Sequence, residues 1–297
     1  MQLGSQGAGV VVAVGSGVKS LRVGDAVYGM HHQHPLFPLR PPGFCSEYAV
    51  THASSLCLKP PGLSFDDAAG LAGHTLTAYQ ALKLAMAAAG VDSLEGKTVF
   101  MTAALSATGA AGAQMIKHGF GAARLISTVS TPKLPLVEQY LPCVVDQVVD
   151  YTTQDVVRAV GRGTVDFVYN TQWDLVGTFP LLKPATGVVV SIASIPPPHV
   201  VKSLMGSVAP RWMLWLLGAA QYWYAWKLRG TDVKLVFQSG DAGKREDVER
   251  TGEMIAQGKI KAVSTVVPLE DIAEVRRRCE MVATGKGGLG ALVIKIV

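Results

Sequence analysis

The spacing of hydrophobic positions changes character along the chain. Residues 8–14 (AGVVVAV) are a continuous apolar, β-branched run, which predicts a strand. Gly15, Ser16 and Gly17 predict a turn, and Val23, Gly24 and Asp25 a second turn before a short strand at 26–29. Residues 31–43 (HHQHPLFPLRPPG) hold four prolines and three histidines and predict a loop. Strand character returns at 44–50, so the opening stretch reads as all-β. Ser64 then predicts a helix N-cap, with Asp66 and Asp67 in the first turn, and apolar helical periodicity continues to residue 86. Beyond it, strands at 98–102, 124–129, 147–150, 166–170 and 187–192 alternate with helices at 109–118, 134–141 and 154–160 and a helical turn at 179–182. That alternation predicts an α/β fold with a doubly wound parallel sheet. Runs such as VVVSIA and LISTV suit strands buried on both faces. From residue 243 the pattern predicts helix 245–257, strand 262–268, helix 269–283 and a final strand 289–297.

The 297 residues are 49% hydrophobic and 16% charged, which excludes a disordered chain and suits about two domains. The net charge is +5, yet the densest basic run, Arg276-Arg277-Arg278, is flanked by Glu274 and Glu280. It reads as a solvated helix face, and no nucleic-acid partner is expected. Cys45, Cys57, Cys143 and Cys279 form no CxxC pair, so neither a disulfide framework nor a zinc–cysteine cluster is expected. The first residues lack a basic region and a cleavage site, so the expected localisation is cytoplasmic.

A dinucleotide pyrophosphate needs a side-chain-poor turn at a helix N-terminus. The segment TVFMTAALSATGAAGAQMIK (98–117) offers a strand, then Ala103, Ala104, Ser106, Ala107, Thr108 and Gly109, then a helix. Only Gly109 and Gly112 are glycines, so the strict G-x-G-x-x-G is absent and an ordinary strand–turn–helix is the competing reading. NAD enzymes place an acid at the end of the next strand for the ribose hydroxyls. Here that end reads Thr128-Val129-Ser130-Thr131-Pro132-Lys133, without a carboxylate. The Ser130 and Thr131 hydroxyls with Lys133 suit a 2′-phosphate, favouring NADPH over NADH. The alternative is that Lys133 is a surface helix residue.

Several motifs occur in order: the spacing of Gly4, Gly9, Gly15 and Val18, then VGDAVYG (23–29), GFCSEYAV (43–50), KPPGLSFDDAAGLAGHTLTAYQAL (59–82), GKTVFMTAALSATGAAGAQ (96–114) and GKGGLGALVIKIV (285–297). Together they resemble the medium-chain dehydrogenase/reductase superfamily, in its non-zinc quinone oxidoreductase/enoyl reductase branch of fungal type, over essentially the whole chain. The resemblance implies a GroES-like part at 1–66, a Rossmann cofactor domain at 67–242, and a segment at 243–297 returning to the first part. It implies hydride transfer in the cleft between the two parts and a homodimer. It also implies reduction of a small lipophilic quinone or the C=C of an α,β-unsaturated carbonyl. A zinc-free alcohol/ketone dehydrogenase and a non-catalytic cofactor-binding remnant are the alternatives. Thr77 matches a position lining the nicotinamide, although a helix hydroxyl bonded to its own backbone reads equally well. Tyr151 and Lys133 would approach the adenine or 2′-phosphate. Asn170-Thr171 and Ile192-Ala193-Ser194 sit at strand ends, where open α/β sheets bind ligands. No general acid is named: Tyr28 and Tyr48 are candidates by type alone, with packing the stronger reading for each.

Three departures qualify the resemblance. Ser5 and Gln6 stand where zinc alcohol dehydrogenases carry a His and a Glu, and no metal is expected; the histidines at 31, 32 and 34 read as solvated or on a pocket rim. Ala103 and Ser106 replace glycines of the cofactor turn. The family also carries a segment ahead of the point matching Met1, so the chain reads as N-terminally truncated, with strand edges left unpaired. Residues 205–229 stand apart from these motifs. Their uncharged core, 212–226, lies between Arg211 and Lys227 with Arg229 and holds tryptophans 212, 215, 223 and 226. Too short to span a bilayer, it reads as a pocket or dimer face, a membrane-surface contact, or plain core.

Overall fold

The computed structural model describes residues 4–31, 43–285 and 288–296. In chain order its first elements are β1 (Gln6–Val10), β2 (Ala26–Met30), β3 (Leu56–Leu58), α1 (Phe65–Ala89), β4 (Thr98–Met101) and α2 (Ala107–Gln114). Next come β5 (Arg124–Val129), α3 (Leu134–Tyr140), β6 (Gln147–Asp150), α4 (Val156–Val160), β7 (Phe167–Asn170) and β8 (Val188–Ser191). The last are α5 (Pro198–Met205), α6 (Arg211–Lys227), β9 (Lys234–Phe237), α7 (Arg245–Ala256), β10 (Ser264–Pro268), α8 (Ile272–Thr284) and β11 (Ala291–Lys295). They form two compact units. One comprises the described residues of Met1–Tyr79, Leu105–Met115 and Gly240–Val297; the other comprises Gln80–Ala104 and Ile116–Ser239.

In the first unit, β1, β2 and β3 form an antiparallel sheet in that order, with Ala8 opposite Tyr28 and Tyr28 opposite Cys57. The strand expected over 8–14 ends at Val10. The Val11 N–H still donates to the Asp25 carbonyl (2.9 Å) and its carbonyl accepts from Gly24 (2.8 Å), but β2 begins only at Ala26. Beyond Val11 the run has outlasted its partner strand, and Val12 and Val14 are exposed. The strand expected over 44–50 is replaced by a string of bends. There the Ser46 hydroxyl bridges the Gly43 (3.0 Å) and Tyr48 (2.8 Å) carbonyls, a local side-chain bond that competes with a ladder.

Helix α1 starts as its sequence predicts. Ser64 Oγ accepts from the Asp67 amide (3.0 Å) and donates to the Asp67 carboxylate (2.8 Å), a reciprocal cap. Gln6 anchors the same helix: its Oε1 accepts from the Gly73 amide (2.6 Å) and its Nε2 donates to the Gly70 carbonyl (3.5 Å). The residue standing at the zinc-ligand Glu position is thus engaged with helix backbone. Met30, Leu76, Ala242 and Val248 form a buried cluster with Cys57 against it. Strands β10 and β11 pair in parallel, joined through α8.

The second unit holds a six-stranded parallel sheet in the order β6-β5-β4-β7-β8-β9. Counted from β4 this is 3-2-1-4-5-6, the doubly wound dinucleotide-binding order. Strands β7 and β8 are buried along their whole length, as the unbroken apolar runs required. Phe100, Ile126, Val149, Val168, Leu181 and Val189 share one core with Tyr224, each large aliphatic side chain contributing about 1.5–3 kcal/mol of transfer free energy. Strand β9 and helix α5 were not anticipated: β9 is short, opens on Lys234, and owes its place to pairing with β8.

Candidate cofactor site

In a sheet of this order the polar chemistry belongs where the order reverses, between β4 and β7. The side chains there are bonded into a cluster. The Thr171 amide donates to Thr102 Oγ1 (2.8 Å), and Thr171 Oγ1 donates to the Thr102 carbonyl (2.8 Å). Thr102 Oγ1 reaches Asn170 Oδ1 at 3.4 Å. The Asn170 amide group donates to Ser191 Oγ (2.9 Å) and to the Gln172 carbonyl (2.6 Å). Asn170 and Ser191 are completely buried, so these bonds are obligatory. The Ile192 amide donates to the Asn170 carbonyl (3.0 Å), the Ala193 amide bonds Ser191 Oγ (3.3 Å), and Ser194 is buried. Asn170, Thr171, Ile192, Ala193 and Ser194 therefore gather at one end of adjacent strands. Thr102 and Ser191 belong with them and escaped sequence reasoning, since strand-end hydroxyls carry no pattern of their own.

The backbone turns sharply after Thr102. Ala103 adopts φ +56°, a left-handed conformation that costs an alanine about 1–2 kcal/mol and a glycine little. That explains why the family places a glycine here. The strain is held by the neighbouring strand: Thr128 Oγ1 accepts from the Ala103 amide (3.2 Å) and the Thr128 carbonyl from Ala104 (3.4 Å).

In the first unit, Ser106 caps α2, its Oγ accepting from the Gly109 amide (3.1 Å). Ala107 and Thr108 form the first turn, ahead of the first intrahelical bond from Ala110 to Ser106 (2.8 Å). His74 lies beside this turn, with Nδ1 3.3 Å from Thr108 Oγ1. Burial pushes its imidazolium down to about 4 from 6.5. His74 is therefore neutral at pH 7 and places no charge beside the turn. Nothing in the local pattern around HTLTAY links residue 74 to residue 108. Thr77 Oγ1 donates to the Gly73 carbonyl (2.8 Å), the bond that the alternative reading of Thr77 describes.

A depressed histidine makes stability depend on pH with a fixed sign. Between 6.5 and about 4 the unfolded chain binds a proton that the folded chain refuses, so stability rises with pH and the gain is complete above 6.5. Lowering the pH from 7 to about 4.5 is expected to cost about 2 kcal/mol through this group. Urea unfolding of the parent and of His74→Leu at both pH values checks it: the variant should lose correspondingly less.

The end of β5 carries the second group. Val129 lies opposite Asp150 in the β5–β6 ladder, and just beyond the strand ends Thr131 meets both Asp150 and Thr152. Thr131 Oγ1 donates to Asp150 Oδ2 (2.6 Å), and the Thr152 hydroxyl (2.7 Å) and amide (3.0 Å) bond Oδ1. These bonds hold the Asp150 carboxyl at about 2, ionised at any working pH. A carboxylate absent from the end of β5 in sequence is thus supplied in space by β6. Lys133, partly buried, has its ammonium pushed below the ordinary lysine value by that burial. It sits in a 3-10 turn, Thr131–Lys133, at the N-cap of α3. Tyr151 is exposed.

Other candidates separate from this group. Tyr28 is buried beside Cys57, and burial raises its phenol above the usual range. Tyr48 is exposed. His31 is buried against the Phe44 ring (centroids 4.5 Å apart), which overturns the solvated one of the two settings expected for it; residues 32 and 34 lie outside the described residues. Among the described residues no three His, Cys, Asp or Glu side chains converge as a metal site.

Comparison with known proteins places this geometry. Residues 1–83 match the alcohol dehydrogenase GroES-like domain and residues 145–286 the zinc-binding dehydrogenase family. A 2-methylene-furan-3-one reductase of Solanum lycopersicum is 34% identical over 191 residues, 64% of this chain and 46% of that protein. The NADPH-dependent alkenal/one oxidoreductase, chloroplastic, of Arabidopsis thaliana is 30% identical over 195 residues, 64% of this chain and 47% of that one. The chain spans about half the length of these curated relatives. The fold of Escherichia coli quinone oxidoreductase, solved with NADPH, superposes with a TM-score of 0.72 at 22% identity, over 99% of this chain and 82% of the other. With family matches over residues 1–83 and 145–286, and with the sheet of the second unit wound in the dinucleotide-binding order, the chain belongs to the medium-chain dehydrogenase/reductase superfamily.

Proposed function

We propose that this protein is an NADPH-dependent oxidoreductase that reduces a quinone or the C=C bond of an α,β-unsaturated carbonyl. The observation that carries the reading is the bonded polar cluster at the strand-order reversal, Thr102, Asn170, Thr171 and Ser191. The relatives that reduce furanones and alkenals, and the quinone oxidoreductase of like fold, support the substrate class. NADPH fits the residues present. The turn from Ala103 to Gly109 carries side chains no bulkier than Leu105, and the capped start of α2 presents first-turn amides to a pyrophosphate. Ser130 and Lys133 offer a hydroxyl and a cation to a 2′-phosphate, while Tyr151 offers a ring to the adenine. Within the sheet unit, the 192–194 segment would line the nicotinamide end.

Bound NADPH supplies the hydride, and the chain's own residues bind and orient. The Asn170 side chain, fixed by Ser191 and Gln172, holds the Thr102–Thr171 pair rigid, so the cofactor meets a preformed surface. His74, neutral, leaves the α2 N-terminus as the local positive end facing a pyrophosphate. No side chain is assigned the proton, and none is required where solvent supplies it.

Titration of tryptophan fluorescence with NADPH and NADH tests the reading. Saturable quenching with NADPH preferred is the expected result, followed by NADPH oxidation that yields a hydroquinone from a quinone or a saturated carbonyl from an enone. Loss of C=O from the enone with its C=C retained would instead assign a ketone reductase, and no quenching by either cofactor would end the oxidoreductase reading.

Asp150 tempers the cofactor preference. An ionised carboxylate close to the proposed 2′-phosphate site repels it. Asp150→Asn is therefore expected to tighten NADPH about fivefold and leave NADH unchanged. A weaker NADH complex with NADPH unaltered would instead make Asp150 an acceptor for the ribose hydroxyls.

A further inference from the structure

Helix α6 is apolar on both sides. Its inner side packs on the sheet unit: Tyr224 is buried in the core with its ring edge-on to Phe179 (centroids 6.5 Å, 81°), and Leu228, just past the helix, joins it. The Gln221 side chain donates to the Ile195 carbonyl (2.8 Å). The outer side carries Trp212, Trp215, Ala219, Tyr222 and Trp226, spaced three and four residues apart, with Leu216 and Trp223 beside them. That spacing is a single stripe along a helix. Trp215 is 72% and Tyr222 76% exposed. A helix that is apolar all round is ordinarily covered all round, and contiguous exposed apolar surface of this kind marks an interaction site.

The charges around the stripe say what covers it. Arg211 begins the helix, and Lys227 ends it with Arg229 just beyond. The Lys227 ammonium lies over the Trp226 (5.0 Å) and Trp223 (5.7 Å) rings, and the Arg229 guanidinium over Trp226 (4.8 Å). No Asp or Glu occurs anywhere from residue 175 to residue 231. A second copy of this face would set cations against cations in either helix orientation, with no carboxylate within residues 175–231 to pair them. Tryptophan and tyrosine rings flanked by Lys and Arg are instead the composition that settles at the headgroup level of a bilayer. At 17 residues α6 is about 25 Å long, and among the described residues no helix is long and apolar enough to cross a membrane.

We propose that α6 docks the protein on an anionic lipid surface, its aromatic stripe lying in the headgroup region with Arg211, Lys227 and Arg229 at the lipid phosphates. The inference does not rest on the proposed reductase activity. A surface-bound enzyme would meet lipophilic substrates where they partition.

Sedimentation with vesicles of phosphatidylcholine, with and without phosphatidylserine, tests it on the full chain. The protein should sediment with the phosphatidylserine vesicles, shift its tryptophan emission to the blue, and be released by salt. Lys227→Glu with Arg229→Glu should weaken that binding at least about tenfold, and Trp215→Glu should abolish it. Circular dichroism melting checks that the exposed-site variants fold. Absence of binding to both vesicle types would overturn the proposal, as would equal binding to both. A dimer in sedimentation velocity that Trp215→Glu converts to monomer would also overturn it, by giving the face to a second copy.

Discussion

Replacing Gly290 with alanine is expected to lower the stability of the chain by about 4 kcal/mol. Gly290 has φ +60°, and a Cβ there would run into the Val263 carbonyl. Backbone cannot rotate away as a side-chain tip can, so either the left-handed conformation or the Val263 carbonyl must give. Both are in use. The Val263 carbonyl accepts from the Ala291 amide (2.9 Å) where β11 begins, and the Gly290 amide donates to the Leu105 carbonyl (2.8 Å) one residue before the α2 cap. The alanine conformation alone costs about 1–2 kcal/mol, and a displaced carbonyl leaves a strand-end amide without its acceptor, about 1–3 kcal/mol more. Urea denaturation measures the loss, with Gly17→Ala as the control, since nothing lies within 4 Å of a Cβ there. Equal midpoints for the two variants would contradict the account. Because Leu105 lies within the turn proposed to hold the cofactor, Gly290→Ala is also expected to weaken NADPH at temperatures where the protein is still folded.

Ala107→Glu is expected to weaken NADPH binding by about a hundredfold while leaving the fold intact. Ala107 is the first residue of α2, only partly buried, and a carboxylate in a first helical turn favours the helix by about 0.3–1 kcal/mol. The same carboxylate would sit where the pyrophosphate is proposed to bind, and two anions a few ångströms apart near a protein surface repel by several kcal/mol. Affinity and stability should therefore move in opposite directions, which a merely damaged protein does not do. Ala107→Gln separates bulk from charge: it should lose far less affinity than the glutamate variant. Equal losses would make the effect steric, and unchanged affinity in both would remove the pyrophosphate from this turn.

Much of the architecture is legible in local pattern. The Ser64 cap, the run of βα units from residue 98, and the closing helix–strand pairs all appear where their spacing predicts, because propensity, capping and burial act over a few residues. Strand existence was less legible where a partner decides it. Residues 12–14 have strand composition but outlast β2, 44–50 are drawn into bends by Ser46, and β9 exists through β8.

The candidate site divides in the same way. By itself the sequence located the small-residue turn proposed for the cofactor, the hydroxyls and lysine after β5, and the strand ends that carry Asn170, Thr171 and residues 192–194, since each follows a strand or opens a helix. Tertiary structure alone decided that Asp150 bonds Thr131 across nineteen positions, that Thr102 joins Asn170 and Thr171 across 68 and 69, and that His74 reaches Thr108. It alone decided that Gln6 braces α1 and that the tryptophans of α6 face outward. The physical reason is common to these cases: each depends on which strands and helices become neighbours, a matter of register and packing that no local period encodes.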